Sequence, residues 1–254
     1  LAEPLSRSWN MPRWWPVSTQ GRGDVQTVWV RVVGAQAKFH GLGYVQLGDM
    51  ASIQETYDSR YWRQRSSYMV TAGLSITLAC VALMVWLWQR SEKIYLWMGL
   101  MQVCWTLYLS VVLSTQPWPW LSSDTLSLLN LVSFMLYAHC FLTFILRFHR
   151  QRWVRTERVL WGVLDVWIAL LLPGENALLN INEFSLIWGI VVFCAACLYG
   201  IYRGLRTRDP QHLLLAAACA VMVVVALHDI VVALRDWDND QTWSYFSWPL
   251  NMLV

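Results

Sequence analysis

Four ionisable side chains lie within long apolar stretches of this sequence, and they are its best candidates for chemistry. They are His139, Asp165, His228 and Asp229. A charge at the centre of a bilayer costs about 2.5–3.5 kcal/mol on insertion scales, so such residues usually face other helices or a wet cavity. We therefore predict an interior polar cluster that binds a ligand or rearranges between two states. The alternative is a set of interhelical hydrogen bonds, worth about 0.6 kcal/mol each on average, that only ties helices together.

Other reactive patterns in the chain favour structural interpretations. His228 precedes an acidic residue, as a phosphoacceptor histidine would, but its Ala/Val/Leu-rich surroundings place it out of reach of ATP. Cys194 and Cys197 have a spacing that can bind metal or form a redox couple, yet a lone pair in an apolar segment favours helix packing. The sequence lacks a glycine-rich nucleotide loop, a Gly-x-Ser-x-Gly nucleophile and paired zinc-ligand histidines. We therefore predict no catalytic residue, no metal and no cofactor in this chain.

The elements that position these residues are apolar segments of membrane-spanning length. Apolar residues make up 57% of the chain and charged residues only 14%, against about 25% in average proteins. A bilayer core of about 30 Å needs about 20 apolar residues in a helix. We predict an all-α membrane protein with a seven-helix transmembrane bundle over residues 69–254. The segments are Met69–Trp88, Ile94–Leu113, Leu126–Leu146, Val159–Leu172, Phe184–Tyr202, His212–Leu234 and Trp243–Val254, the last of which we expect to be cut short.

Positive charges are concentrated in alternate loops, which predicts the orientation. Arginine and lysine near span ends are retained on the cytoplasmic side. The loops after the first, third and fifth segments hold ten such residues, and the other loops hold one. The ten are Arg90, Lys93, Arg147, Arg150, Arg152, Arg155, Arg158, Arg203, Arg206 and Arg208, and the one is Arg235. We predict an extracytoplasmic N-terminus and a cytoplasmic C-terminus, although Arg60, Arg63 and Arg65 lie on the proposed exterior side.

Two further features concern the membrane itself. Many of the 18 tryptophans lie at predicted span ends, where amphipathic rings favour the lipid headgroup zone. The small residues Ala216–Ala220 form a surface that permits close helix approach. The net charge of +3 is explained by the basic loops, with anionic lipid as their expected neighbour and no nucleic-acid partner.

Residues 1–68 differ from the rest of the chain. They are richer in Gly, Pro and charged residues, and two short runs, Val28–Val33 and Gly43–Leu47, favour β-strands. A domain this small usually needs staples, and all six cysteines lie in the predicted spans instead. We expect residues 1–68 to be the C-terminal part of a larger extracytoplasmic β-rich sensory domain.

The order of these parts resembles the bacterial seven-transmembrane receptors with diverse intracellular signalling modules. Local patterns carry the resemblance before the first span, at the start of the second and fourth spans, and near the end of the sixth. They are Leu47-Gly48, Tyr57-Asp58-Ser59-Arg60, Tyr95–Leu100, Arg155–Leu160 and His228-Asp229. The resemblance implies a jelly-roll-like exterior sensor and, beyond Val254, a histidine kinase, diguanylate cyclase or phosphatase.

We accordingly predict a sensory receptor region in the bacterial inner membrane, with an unknown small-molecule or carbohydrate ligand and a homodimeric state. A small-solute transporter or channel is the alternative. Transporters usually show broken helices or repeated halves. Pro173-Gly174 ends one predicted span without a matching interruption elsewhere. A retinal photoreceptor is excluded, because both lysines, Lys38 and Lys93, lie outside the spans.

Overall fold

The computed structural model describes residues 11–16, 29, 45–115, 120–171, 178–207 and 209–234. All regular structure in these residues is helical. The helices are α1 Met50–Tyr61, α2 Ser67–Trp88, α3 Lys93–Leu113, α4 Ser123–Phe148, α5 Val154–Leu171, α6 Leu178–Thr207 and α7 Pro210–Leu234, with a π-helical segment Trp62–Ser66 between α1 and α2.

Five helical segments are long and apolar enough to cross a membrane. They are Met50–Trp88, Lys93–Leu113, Thr125–Phe148, Phe184–Thr207 and Pro210–Val232. They coincide with the first, second, third, fifth and sixth predicted spans, which confirms a multi-pass helical protein. The fourth predicted span also forms a helix, α5, but Arg155, Glu157, Arg158 and Asp165 make it too polar to be counted with the five. The seventh predicted span lies outside the described residues.

The segment before the first span contains a helix that the sequence analysis did not predict. The Asp49 side chain accepts a hydrogen bond from the Ser52 amide at 3.1 Å and so caps α1. The helix then continues through the π-helical segment into α2, so the predicted domain boundary at residue 68 falls inside 39 helical residues. Of the two strand candidates, only Trp29 and Val45–Leu47 are described, and these residues are in no strand. The β-rich domain stays a prediction.

The bundle is arranged around α4, which packs against both α3 and α6. The closest pairs are α2 with α3, α3 with α4, α4 with α6, and α6 with α7, while α5 packs more loosely against α4 and α6. Large apolar side chains point outward along the helices, as lipid-facing residues do; Met84, Val159, Phe184 and Leu205 are all exposed. The outward face of the bundle is therefore suited to lipid rather than to water.

Rings and sulfur atoms fill the centre of the bundle. We call this region the aromatic core and define it by Tyr137, Phe141 and Phe144 of α4, Phe193 of α6 and Cys219 of α7. The Phe141 and Phe193 ring centroids are 5.2 Å apart, and Tyr137 lies 6.1 Å from Phe141. The aromatic core joins α4, α6 and α7 into one packed unit.

A glycine permits the closest approach in this unit, between α6 and α7. A Cβ atom on Gly204 would lie 2.5 Å from the His212 carbonyl oxygen and 2.6 Å from the Ala216 Cβ. Only glycine fits at this crossing without a shift of the α7 backbone. The small-residue surface predicted at Ala216–Ala220 is confirmed at Ala216.

Candidate functional site

His139, the first predicted site residue, lies in the interior of the bundle. It is 1% exposed on α4, and its Nδ1 lies 2.8 Å from the Met135 carbonyl oxygen, to which it donates. Its other nitrogen, Nε2, is buried without a hydrogen-bond partner in the described part of the chain. The ring lies 5.8 Å from that of Trp161 on α5. His139 therefore joins α4 to α5 mainly by packing against Trp161, and its Nε2 has no hydrogen-bond partner in the described residues.

Asp165 occupies the opposite kind of environment. It lies on α5 four residues after Trp161, but its side chain is on the exposed side of the helix. Val159, Gly162 and Val166 lie on the same exposed side. The carboxylate therefore faces away from α4 and α6.

His228 and Asp229 lie near the end of α7 and are half-buried. The His228 Nδ1 and the Asp229 Oδ1 are 3.3 Å apart. This short-range pair allows the histidine and the carboxylate to satisfy each other in part.

The level of each residue along the bundle follows from one ring contact at the end of α4. His149 stacks on His212, which places the end of α4 and the start of α7 at the same level. At 1.5 Å per residue, His139 then lies about 15 Å above that level and His228 about 24 Å. Asp165 lies a further turn beyond the level of His139, on the outside of α5. A single cluster of all four residues stays a prediction.

A polar interface that was not predicted from the sequence lies between α2 and α3. We call it the polar seam and define it by Ser67, Thr71 and Ser75 of α2 and Gln102 of α3, all of which are buried. Ser67 and Thr71 donate to carbonyl groups of their own helix at 2.8 and 2.9 Å. The Ser75 hydroxyl and both polar atoms of the Gln102 side chain have no partner in the described residues. The four-residue spacing of Ser67, Thr71 and Ser75, which puts them on one helix face, was a signal that could have revealed the seam.

A second link between these helices lies at the π-helical segment. The Arg65 guanidinium donates to the carbonyl oxygen of Leu113, the last residue of α3. Helix ends leave such carbonyl groups without an intrahelical partner, so the arginine satisfies one of them. Single π-helical turns inside α-helices are frequently found at functional sites. Arg65 therefore couples the start of α2 to the end of α3.

At the other end of the bundle lies a pair of stacked histidine rings, His149 and His212, that was not predicted from the sequence. His149 is 4% exposed, and its ring stacks on that of His212 with 4.7 Å between centroids. Both ring nitrogens of His149 lack a partner among the described residues. Burial lowers the pKa of His149 to about 4, and the neighbouring His212 and Arg203 add to the shift. His149 is therefore neutral at pH 7.

Cysteine thiols meet at two helix interfaces. The thiol of Cys197 on α6 lies beside that of Cys219 on α7, and Cys104 on α3 lies beside Cys140 on α4. Cys194, which shares the predicted spacing with Cys197, is only half-buried and is not part of either pair. No group of three or more His, Cys, Asp or Glu side chains with metal-binding geometry occurs in the part of the chain that the structure describes.

Taken together, the apolar helices and their arrangement define a multi-pass membrane protein. A family model described as 7TM diverse intracellular signalling matches residues 64–253. The chain belongs to this family, and it is a membrane region of sensory and signalling type. Neither the curated proteins nor the solved structures contain a significant match to the sequence.

Proposed function

We propose that this region receives a signal from an extracytoplasmic sensory domain and passes it to a cytoplasmic output module, a histidine kinase or a diguanylate cyclase. The N-terminus lies outside the cytoplasm of a bacterial cell and the C-terminus inside, in the inner membrane. The signal is a small molecule or a carbohydrate, and the receptor works as a homodimer. The family membership supports the signalling role.

The observation that carries the proposal is the continuous helix Met50–Trp88. Its 39 residues span about 58 Å at 1.5 Å per residue, about twice the thickness of a bilayer core. The polar α1 therefore projects beyond the membrane, where the Trp14 ring packs edge-on against Tyr57 at 6.4 Å. A helix that continues from an outer domain into the bundle can transmit rotation or displacement without a flexible joint.

The contacts of α2 favour motion at this helix. Its main neighbour is α3, across the polar seam, and Arg65 holds the outer end. Buried polar atoms without partners, such as those of Gln102, gain hydrogen bonds in any arrangement that brings a donor or acceptor to them. A ligand can shift such an equilibrium only through different affinities for the two arrangements. We place the moving interface between α2 and α3.

An insertion series tests this mechanism in the full receptor. One to four alanines inserted between Tyr61 and Trp62 rotate the outer helix by about 100° each. We expect output activity to follow the helical period, with the largest change after two residues and near-normal output after four. The matched control is the same series after Trp120, in the loop that precedes α4. Output that falls steadily with insertion length, without a helical period, would refute transmission through this helix.

The orientation has its own test. The clustered basic residues lie in the loops that follow α2, α4 and α6 and in the helix ends beside them, and the positive-inside rule assigns these loops to the cytoplasm. Reporter fusions at Arg152 and at Asn176 should report the cytoplasm and the exterior, respectively. Both reporters on the same side would refute the proposed topology.

The interior polar residues are proposed to contribute to the switch. Replacing Asp229 by Asn and then by Ala in the full receptor, with folding yield and output measured together, separates a signalling role from a packing role. A normal response at normal yield would rule out the role of Asp229. Transport remains the alternative function, and accumulation of solute by vesicles that contain the protein would favour it.

A further inference from the structure

A cavity of about 200 Å³ lies between the loop before α3 and the loop that joins α4 to α5. Four cationic side chains and one carboxylate line it, namely Lys93, Arg147, Arg150, Arg152 and Glu92. Like charges in such a cavity repel each other unless an anion lies between them.

One of the four cations is already engaged. The Arg147 guanidinium forms a bidentate ion pair with Glu157 and also donates to the Gln151 carbonyl oxygen at 2.9 Å. The side chains of Lys93, Arg150 and Arg152 have no hydrogen-bond or ion-pair partner among the described residues. After Glu92 is counted against them, two positive charges remain uncompensated among the described residues that line the cavity.

Backbone conformation explains how Arg150 reaches the cavity. The amide of Arg150 donates to the Arg147 carbonyl oxygen at 2.9 Å, and that of Gln151 to the Leu146 carbonyl oxygen at 2.8 Å. These two bonds form the Schellman motif that ends α4. The left-handed residue of this motif is normally glycine, but here it is Arg150 with φ of 54°. An arginine therefore occupies a position where glycine would adopt the backbone conformation more easily.

The depth of the cavity indicates the source of the anion. Trp88 precedes the first loop and is 91% exposed, and Trp153 follows Arg152 in the second loop and is also exposed. Exposed tryptophans at span ends lie at the level of the lipid headgroups. Basic pockets between transmembrane helices at this level bind anionic headgroups.

We propose that this cavity binds a phosphate group, and specifically the phosphodiester of an anionic phospholipid. The headgroup phosphate lies between the side chains of Lys93, Arg150 and Arg152, while Arg147 stays paired with Glu157 and ties the end of α4 to α5. The site is independent of the receptor function proposed above and of the side of the membrane on which the cavity lies.

The test uses the purified full chain in dodecyl maltoside micelles, with lipid binding followed by native mass spectrometry and by thermal unfolding. Phosphatidylglycerol is titrated against zwitterionic phosphatidylcholine. Inorganic phosphate and glycerol 3-phosphate are titrated separately as soluble sources of the same group. We expect saturable binding of phosphatidylglycerol and little effect of the other three compounds.

The variant is Arg150→Gly combined with Arg152→Gln. Glycine suits the left-handed position, so the variant should fold at least as well as the parent in phosphatidylcholine. Each basic residue near an anionic membrane contributes roughly fivefold to binding, so the double variant should bind phosphatidylglycerol at least about tenfold more weakly. The control is Arg155→Gln with Arg158→Gln, which removes two exposed charges from α5 outside the cavity. It should weaken binding less than about twofold, since these charges act only at long range.

Equal weakening by both double variants would overturn the proposal, because it would indicate diffuse attraction rather than a site. Equal binding of phosphatidylglycerol and phosphatidylcholine would also overturn it. Saturable binding of inorganic phosphate that is lost in Arg150→Gly with Arg152→Gln, without binding of phosphatidylglycerol, would overturn the lipid assignment and assign the cavity to a soluble phosphate.

Discussion

The two sides of this bundle are held together by different kinds of contact. On one side, the aromatic core locks α4, α6 and α7 with large side chains such as Phe141, which is fully buried. On the other side, α2 meets α3 through small and polar residues, and Gln102 keeps two buried polar atoms without partners in the described residues. The first interface is closely packed with apolar side chains, whereas the second contains buried polar atoms that form no hydrogen bond in the described residues.

This difference has a physical consequence inside lipid. Lipid tails are as apolar as leucine, so helices associate there by close packing and hydrogen bonds rather than by hydrophobic exclusion. Interlocked rings have one good arrangement, and any displacement opens gaps that cost contacts. In the polar seam, Ser67 and Thr71 bond their own helix and the Gln102 side chain bonds nothing in the described residues, so a displacement of α2 along α3 breaks no hydrogen bond of the seam. We therefore expect α2 to move against a fixed α4–α6–α7 unit.

The largest effect is expected from Phe141→Ala. Removing a fully buried ring leaves a cavity among α4 and α6, and such changes cost about 3–5 kcal/mol in protein cores. Thermal unfolding of the purified protein in micelles measures the loss. The control is Leu198→Ala on the exposed side of α6, where lipid replaces the lost side chain and the change should stay within about 0.5 kcal/mol. Similar losses for both variants would show that the aromatic core is no more fixed than the lipid-facing surface.

Gly204→Ala tests the α6–α7 contact directly. The new methyl group would meet the His212 backbone, so one helix must shift, and overpacking of this kind costs about 1–3 kcal/mol. Gly162→Ala is the matched control, since a Cβ atom there meets nothing within 4 Å. In the helix interior this control should stabilise the protein by about 0.5–1 kcal/mol. A neutral Gly204→Ala variant would contradict the close approach of α6 and α7.

How much of this could be predicted from the sequence depends on the kind of signal. Length and hydropathy sufficed to predict the helices that cross the membrane, and Ala216 indicated the close contact with Gly204. The rotation of each helix was harder to predict, because a mixed apolar segment such as α5 does not show whether Asp165 points inward. Serine and threonine are nearly neutral in hydropathy, so the polar seam was missed. The stacking of His149 on His212 depends on tertiary packing between residues far apart in sequence.

The His149 pair predicts a pH dependence at the end of the fixed unit. The folded-state pKa of His149 is about 4, below its ordinary value. Between about pH 6.5 and pH 4, the imidazole is therefore protonated in the unfolded chain but neutral in the folded protein. The contribution of His149 to stability should therefore be constant above about pH 6.5 and fall below it, by at most about 1.4 kcal/mol per pH unit. His212 and Arg203 face the ring from α7 and α6 and oppose its protonation.

Unfolding midpoints measured from pH 8 to pH 4.5 provide the check. In His149→Phe the ring contact is kept while the titrating group is lost, so the part of the acid loss that comes from His149 should disappear. His228→Phe is the control, because that residue lies at the other end of α7 and keeps His149 intact. An identical acid profile for the parent and His149→Phe would contradict the assignment.

Gln102→Leu tests the adjustable side of the comparison, with the smallest expected change in stability. Leucine has a similar volume and leaves no buried polar atom unpaired, so the bundle should become more stable by up to about 1 kcal/mol. If the polar seam only ties α2 to α3, Gln102→Leu should leave the stability of the protein unchanged or lower it, and signalling should be normal. If the seam is the moving interface, the substitution favours one arrangement, and output in the full receptor should become insensitive to rotation of α1 by the alanine insertions.

Thr77→Ala on the exposed side of α2 is the control, since its hydroxyl bonds only the Gly73 carbonyl of its own helix. A stabilised Gln102→Leu receptor that still follows the helical period would place the moving interface elsewhere in the bundle.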